Sequence, residues 1–190
     1  YLIAVGGWPI ALIGLLSIAA GLAYTGGPFP LGYNGLGDVF VFLFFGLAAV
    51  CGTYYVQAGT VSPAAWWAAG PIGLLATAIL VVNNLRDLET DRAAGKKTLA
   101  VRWGARAARL EYSLLLAVAY LCPLLMGLTG VSSAWVMLAW LSLPLARSQF
   151  DLIWRSQGRV LNQALAGTAR LELVYGLLFS AGLLIGRWMT

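Results

Sequence analysis

An all-α, polytopic transmembrane helical bundle is the fold class this sequence predicts, and three observations predict it. Hydrophobic residues make up 61% of the chain and charged residues only 10%, where a soluble domain carries about 25% charged residues. Six apolar stretches each come close to the roughly 20 residues that a helix needs to cross a bilayer. Nearly all the basic residues fall in the connections between these stretches rather than inside them.

The first span, about residues 2 to 23, is apolar from its first turn. It ends at a connection punctuated by Gly26, Gly27, Pro28, Pro30, Gly32, Gly35 and Gly37, residue types that stop helices and make turns. The second span, about 39 to 58, closes at the turn Gly59 to Pro63, and the third, about 64 to 84, runs directly into a charged segment. The fourth, about 110 to 130, closes at the turn Gly130 to Ser133, and the fifth covers about 133 to 149. The sixth, about 170 to 188, carries Gly182-x-x-x-Gly186, a small-residue spacing that lets helices approach closely.

Six spans joined in this way place the connections 24–38, 84–109 and 147–170 on one side. Together they hold Arg86, Arg92, Lys96, Lys97, Arg102, Arg106, Arg109, Arg147, Arg155, Arg159 and Arg170, every basic residue except Arg187. The positive-inside rule puts that side in the cytoplasm. The first span then enters from the outside, which implies an odd number of earlier helices in a protein that begins in the cytoplasm. The chain also opens at Tyr1 within an apolar run, as the C-terminal portion of a longer protein would.

The absence of His excludes His-ligated zinc, haem and copper sites and catalysis through a His base. Cys51 and Cys122 lie inside apolar runs and read as small packing residues, with no disulfide framework. A net charge of +5 is explained by topology-setting loops, so no nucleic-acid partner is expected; the partner implied is the lipid bilayer.

The densest charge lies in residues 83–104, NNLRDLETDRAAGKKTLAVRWG. If the third helix continues past Asn84, then Asn83, Asp87 and Asp91 stand at i, i+4 and i+8 on one face. Two carboxylates about 6 Å apart along a helix repel unless a cation lies between them or in front of them. Hard oxygens with open positions suit magnesium, which favours one or two carboxylates plus substrate phosphates. Arg86, Arg92, Lys96 and Lys97 surround the stripe and suit a phosphate-rich ligand, so metal and cations together point to a diphosphate. The plainer reading, a solvated loop with incidental acids and topology-setting bases, stands beside it. A nucleotide-binding P-loop at Gly95-Lys96-Lys97-Thr98 is rejected, because Thr90 occupies the required first glycine and no strand precedes it.

These residues resemble the UbiA superfamily of intramembrane aromatic prenyltransferases, and within it the members that act on 1,4-dihydroxy-2-naphthoate. The run 83–104 is similar to that group's second aspartate-rich motif. Further likeness lies in YNGLGDVFVFLFFG (33–46), GTYYVQAGT (52–60) and LNQALAGTARLELVYGLLF (161–179). The resemblance covers one transmembrane domain over residues 1–190 and corresponds to the last six of the family's nine helices. It implies magnesium-dependent transfer of a polyprenyl group from polyprenyl diphosphate to dihydroxynaphthoate, with loss of carbon dioxide, in a bacterial cytoplasmic membrane. Asp87 and Asp91 would hold the magnesium with Asn83 beside them, while Arg86, Arg92, Lys96 and Lys97 would neutralise the diphosphate. The family uses two aspartate-rich motifs, whereas this chain has one; Asp38 and Asp151 stand alone. This polypeptide by itself is therefore expected to be inactive, with three helices and the first motif supplied upstream.

Asp38 reads either as an N-cap for the second span or as part of an aromatic-substrate site. Tyr54, Tyr55 and Gln57 read either as cavity-lining residues or as interfacial anchors. The loop 147–170 suits an amphipathic surface helix or a purely topological role. Three other functions stay open on the residues alone. A sister prenyltransferase would act on 4-hydroxybenzoate, homogentisate or another ring, or would transfer a phytyl chain. A secondary transporter would need its polar residues at the midplane, where this chain has few. A noncatalytic scaffold or fragment is the third.

Overall fold

The computed structural model describes residues 1–189, and every regular element among them is helical. In chain order these are α1 (Leu2–Thr25), α2 (Gly37–Ala58), α3 (Pro63–Arg86), the short α4 (Leu88–Ala93), α5 (Leu99–Leu128), a 3-10 stretch (Ala134–Ser142), α6 (Leu143–Arg155) and α7 (Leu161–Trp188). Five of them, α1, α2, α3, α5 and α7, are long and apolar enough to cross a membrane.

The expectation of six similar spans is corrected at the fifth. Residues 133–149 do not form one apolar α-helix: Ala134–Ser142 winds as a 3-10 helix, and α6 follows it with Arg147, Asp151 and Arg155 on board. The chain still traverses the bundle there. Nine 3-10 residues and thirteen α-helical ones extend about 37 Å. The far end of this path is held where Arg109 donates from Nε to the Ile153 carbonyl (2.9 Å) and from Nη2 to that of Ser156 (3.0 Å). Two other boundaries move. Thr98 caps α5 through its Oγ1, which accepts from the Val101 N–H (3.3 Å), so α5 begins well before residue 110 and is bent at Gly104 (φ 83°). The last helix starts at Leu161 rather than near 170, which places exposed Arg170 and half-buried Glu172 inside it.

Helix α3 is the central post. Over its most apolar window 56% of residues are buried, against 6% for α1, so α3 is surrounded by protein while α1 lies on the outside. Ser62 caps its start by accepting from the Ala65 N–H (3.2 Å), with Pro63 in the first turn, where its missing N–H costs nothing. From α3 the core extends through Leu75, Ala78 and Val82 to Tyr112 and Met126 of α5, Val136 of the 3-10 stretch, and Leu171 and Tyr175 of α7.

Hydrocarbon gives no hydrophobic reward for helix association, so close approach and interhelical hydrogen bonds hold such a bundle. Both are present. Helices α2 and α3 touch at Gly46 and Gly73, where a Cβ on Gly46 would stand 2.7 Å from the Gly73 Cα. There α2 widens into a π-helical segment, Phe42–Ala48. The Gly182 and Gly186 spacing does the same for α7: methyls there would collide with the Trp135 carbonyl and the Ser133 hydroxyl. Tyrosines tie the layers, with Tyr175 donating to the Ala119 carbonyl (2.8 Å), Tyr120 bonded to Ser142 (2.5 Å) and Tyr112 to Thr168 (3.1 Å).

The connections 24–38, 84–109 and 147–170 meet at one end of the bundle, as the charge pattern predicts. The Lys97 N–H donates to the Tyr33 carbonyl (2.6 Å), Arg102 to the Asn34 carbonyl (2.9 Å) and Arg86 to the Asn162 side chain (3.1 Å).

Gly182→Ala is expected to destabilise the bundle by about 1–3 kcal/mol through overpacking. Gly176→Ala, whose added methyl would meet only Ile72 at 3.7 Å, is expected to be close to neutral. Thermal unfolding of the two variants in detergent checks the difference.

Candidate functional site

The site grows from the last turn of α3. That helix ends at Arg86, and Asp87 (φ −93°, ψ 10°) joins it to α4, so the single continuous helix expected through residue 91 is interrupted. Its hydrogen-bond ladder is not: the Asp87 N–H donates to the Asn83 carbonyl (3.0 Å) and the Asp91 N–H to the Asp87 carbonyl (2.8 Å). Asn83, Asp87 and Asp91 therefore remain on successive turns. Beyond α4, Gly95 takes φ +73°, a conformation that suits glycine, and turns the chain back so that Lys96 returns to Asp91. Gly95-Lys96-Lys97-Thr98 is thus the end of one helix and the cap of the next.

Two ion pairs organise the charges. The Arg86 guanidinium forks onto Asp87, Nε to Oδ1 at 2.8 Å and Nη2 to Oδ2 at 2.6 Å, and Nη2 also reaches the Asn83 amide oxygen at 2.7 Å. Its remaining arm, Nη1, donates to Asn162 Oδ1 on α7. Lys96 Nζ donates to Asp91 Oδ1 at 2.6 Å and lies 4.9 Å from the centre of the Tyr33 ring, a cation–π contact. Asp91 is buried while Asp87 is partly open. The hydrogen bond from Arg86 holds the Asp87 carboxyl below its ordinary range, and the bond to Asp91 raises the Lys96 ammonium. Arg92 is exposed and pairs with Glu89 (2.9 Å), and Lys97 is also exposed, so both add positive field around the two ion pairs.

Asp38 is not an N-cap. It lies inside the first turn of α2, behind Leu36, and no side-chain cap bond is made there. It is 9% exposed, and its Oδ1 is buried without a hydrogen-bond partner. The Thr77 hydroxyl on α3 approaches its backbone carbonyl (3.5 Å). Thr77 precedes Asn83 by six residues, about 9 Å along the helix, so Asp38 lies deeper in the bundle than the carboxylate stripe. Tyr24 and Glu111 both lie near enough to sense its charge, and Tyr24 also senses Lys96.

An apolar groove of about 600 Å³ starts at Tyr24 and runs between α1 and α2, past Phe40 and Phe44 to Phe45 and Ala49. Those last two residues also line a larger cleft of about 1070 Å³ that reaches the opposite end of the bundle. Tyr54 and Gln57 line that far cleft, whereas Tyr55 does not line it. Gln57 follows Asp38 by nineteen residues on α2, about 28 Å. Tyr54 and Gln57 therefore belong to a cavity, but not to one that a ring beside Asp87 can reach.

Sequence reading missed Asn162, Tyr33, Tyr24 and Glu111 as neighbours of the site. Asn162 and Tyr33 lay within the runs that carried the family likeness, yet nothing in those runs paired them with Arg86 or Lys96. As a metal site, the donor set fits magnesium in chemistry, with two carboxylates and an amide oxygen on adjoining turns. Among the described residues no cluster of three His, Cys, Asp or Glu side chains could hold an ion, so a magnesium held here would take its remaining ligands from phosphate or water, as magnesium prefers.

Comparison with known proteins bears directly on this arrangement. The model of the UbiA prenyltransferase family matches residues 1–186. The chain is 43% identical over 175 residues to a 1,4-dihydroxy-2-naphthoate octaprenyltransferase of Haemophilus influenzae, covering 92% of this chain and 57% of that protein. The proteins of the same name in Escherichia coli and Bacillus subtilis are 41% and 33% identical, over 93% and 97% of this chain and 58% and 60% of theirs. The chain thus spans between 57% and 60% of the length of these three relatives.

The two ion pairs set a pH dependence. With its pKa lowered in the folded state, Asp87 contributes stability that is complete above its unfolded value of about 3.9 and is lost as pH falls through the folded one. Lys96, raised, contributes stability that is complete below about 10.4 and is lost as pH rises through its folded value. The unfolding midpoint is expected to be insensitive to these groups between those limits. Asp87→Asn should flatten the acid limb alone, read by thermal unfolding across a pH series.

Proposed function

The chain belongs to the UbiA prenyltransferase family, and from that premise we propose that its charged end binds the diphosphate of an allylic polyprenyl substrate. In the whole protein the polyprenyl group passes to 1,4-dihydroxy-2-naphthoate with loss of carbon dioxide, a step of menaquinone biosynthesis. The observation that carries this reading is the loop 32–37, whose Gly32 and Gly37 pack on Tyr24 at the start of an apolar groove while its Tyr33 meets Lys96 at the face where Arg86 and Lys96 are held on Asp87 and Asp91.

Both cations are held by carboxylates and can be exchanged. A diphosphate arriving at the mouth offers oxygens that accept from the Arg86 fork and the Lys96 ammonium, and Asp87 and Asp91 are then free, with Asn83, to hold magnesium. Bound there, magnesium would neutralise charge as the diphosphate departs. The allylic C–O bond breaks with its electron pair going to the diphosphate, whose growing charge Arg86 and Lys96 stabilise. Arg92 and Lys97 add to the positive field at the entrance. The isoprenoid tail lies in the groove lined by Phe40, Phe44 and Phe45, whose apolar walls keep water from the allylic cation. The electron-rich ring then supplies the pair for the new C–C bond, and the pair of the ring–carboxylate bond returns to the ring as carbon dioxide leaves. Asp38 is the nearby acceptor for a ring hydroxyl, because its buried Oδ1 has no partner of its own. With eleven of the twelve basic residues in the connections at this end or beside it, the site faces the cytoplasm of a bacterial membrane.

Asp87→Ala and Asp91→Ala in the full-length protein are each expected to lower turnover about 10²–10³-fold, with membrane insertion unchanged. The assay combines a polyprenyl diphosphate, dihydroxynaphthoate and magnesium, and detects the prenylated, decarboxylated product. Near-normal rates in both variants would remove the proposed role of the carboxylates. Product formed from 4-hydroxybenzoate but not from dihydroxynaphthoate would move the assignment to a sister enzyme. Single cysteines placed at Gly95 and at Gly59 are expected to react with a membrane-impermeant thiol reagent from opposite faces of the membrane.

A further inference from the structure

Cations at the charged end of the bundle outnumber the carboxylates available to them. In the connections 84–109 and 147–170 every acid is already matched, Asp87 to Arg86, Glu89 to Arg92, Asp91 to Lys96 and Asp151 to Arg147. Arg106, Arg155 and Arg159 are all exposed, and among the described residues none of them pairs with a carboxylate. Glu111, the one acid on α5, is half-buried and lies on another face of the helix, near Asp38. Topology asks only that bases lie on one side of the membrane. It does not require unneutralised guanidiniums from separate helices to share a surface.

The packing of α5 against α6 creates that surface. Trp154 donates from Nε1 to Ser113 Oγ (3.1 Å), and Arg109 donates from Nη2 to the Ser156 carbonyl (3.0 Å). The two segments therefore run antiparallel, 154 beside 113 and 156 beside 109, and Arg155 stands level with Arg109, one turn of α5 from Arg106. Arg159 follows on the 3-10 turn Gly158–Val160. Arg109 already serves the carbonyls at the end of α6, so the exposed arginines are not needed as its cap. Along α5, Arg106 shares a face with Leu110, Leu114 and Leu121, and all three leucines are exposed. Trp154 is exposed as well, the residue type that sits at the level of lipid headgroups. Guanidiniums, an interfacial indole and an apolar stripe thus follow one another from the charged end toward the middle of the bundle, the order that the phosphate, glycerol and acyl chain of a phospholipid would meet.

We propose that the α5–α6 surface around Arg106, Arg155 and Arg159 binds an anionic phospholipid from the leaflet at the charged end. The guanidiniums donate to the headgroup phosphate, to which their planar forks are matched, and an acyl chain lies along Leu110 and Leu114. None of these residues belongs to the site proposed for the prenyl diphosphate. The test reads lipid binding rather than prenyl transfer, so either reading can fail without the other.

The test uses full-length protein, delipidated in detergent, exposed to an equimolar mixture of phosphatidylglycerol and phosphatidylcholine and analysed by native mass spectrometry. Phosphatidylglycerol is expected to be retained in preference. Arg159→Gln should reduce its retention about fivefold, the weight of one basic residue at an anionic lipid surface, and Arg106→Gln with Arg155→Gln about 25-fold. Arg106→Lys with Arg155→Lys should keep most of the binding. Arg187→Gln, which removes an exposed base at the opposite end, should change nothing. Arg159 lies outside the long helices, so its variant decides the matter even if the double variant misfolds. Equal retention of the two lipids, wild-type retention by Arg159→Gln, or an equal loss in Arg187→Gln would overturn the proposal. So would release of the lipid by excess inorganic phosphate at matched ionic strength, which would mark the surface as one for the free anion.

Discussion

Hydrocarbon cannot hydrate a charge, so the ionised side chains of this chain must find one another at the ends of its helices, and the contact on which the rest turn is the fork from Arg86 to Asp87. It uses both carboxylate oxygens, and the same guanidinium reaches back to Asn83 and across to Asn162 on α7. One side chain thereby fixes the junction of α3 and α4 and ties the last helix to the third. A lysine at that position could neutralise Asp87 but could not span the same acceptors, because its ammonium is a point charge rather than a planar fork. Lys96 does for α4 and Tyr33 what Arg86 does for α3 and α7, so the charged face is assembled from four separate segments of chain.

Below that face the bundle is held by fit rather than by exclusion of water. Glycines stand where backbones cross, Gly46 on Gly73 and Gly182 on Trp135, and buried tyrosines bond across the helices in between. The 3-10 stretch Ala134–Ser142 belongs to the same economy. It rises about 2.0 Å per residue instead of 1.5 Å, so its nine residues reach further across the bundle than the same number in an α-helix. Its tighter winding brings Trp135 and Val136 against Gly182 of α7.

The two ends of the molecule are chemically different, and α2 links them. At one end of that helix lies Asp38 with its unpartnered carboxylate oxygen, and at the other lie Tyr54 and Gln57 on the far cleft. The groove and the cleft meet at Phe45 and Ala49, so the apolar path passes beside the widened, π-helical part of α2. That geometry leaves an apolar path leading away from the end of the bundle that carries the dense cluster of carboxylates and cations.

The sequence by itself determined the helical membrane class, the sharing of one end by the charged connections, and the succession Asn83, Asp87, Asp91, because apolar run length, loop charge and i, i+4 spacing are local properties of a chain. It was less reliable wherever a residue's role depends on what packs against it. Only the tertiary structure decided that Asn162 and Tyr33 complete the charged face, since they lie far along the chain from the groups they touch. It also decided that Asp38 is buried inside a helix rather than capping it, and that Tyr54 and Gln57 face the opposite end. The passage from α5 back to the charged end as a 3-10 and α-helix was equally beyond local reading, since its winding answers to the glycines of α7. Spacing along a helix can be read from residue order, but the partner of a side chain is fixed only when the helices are brought together.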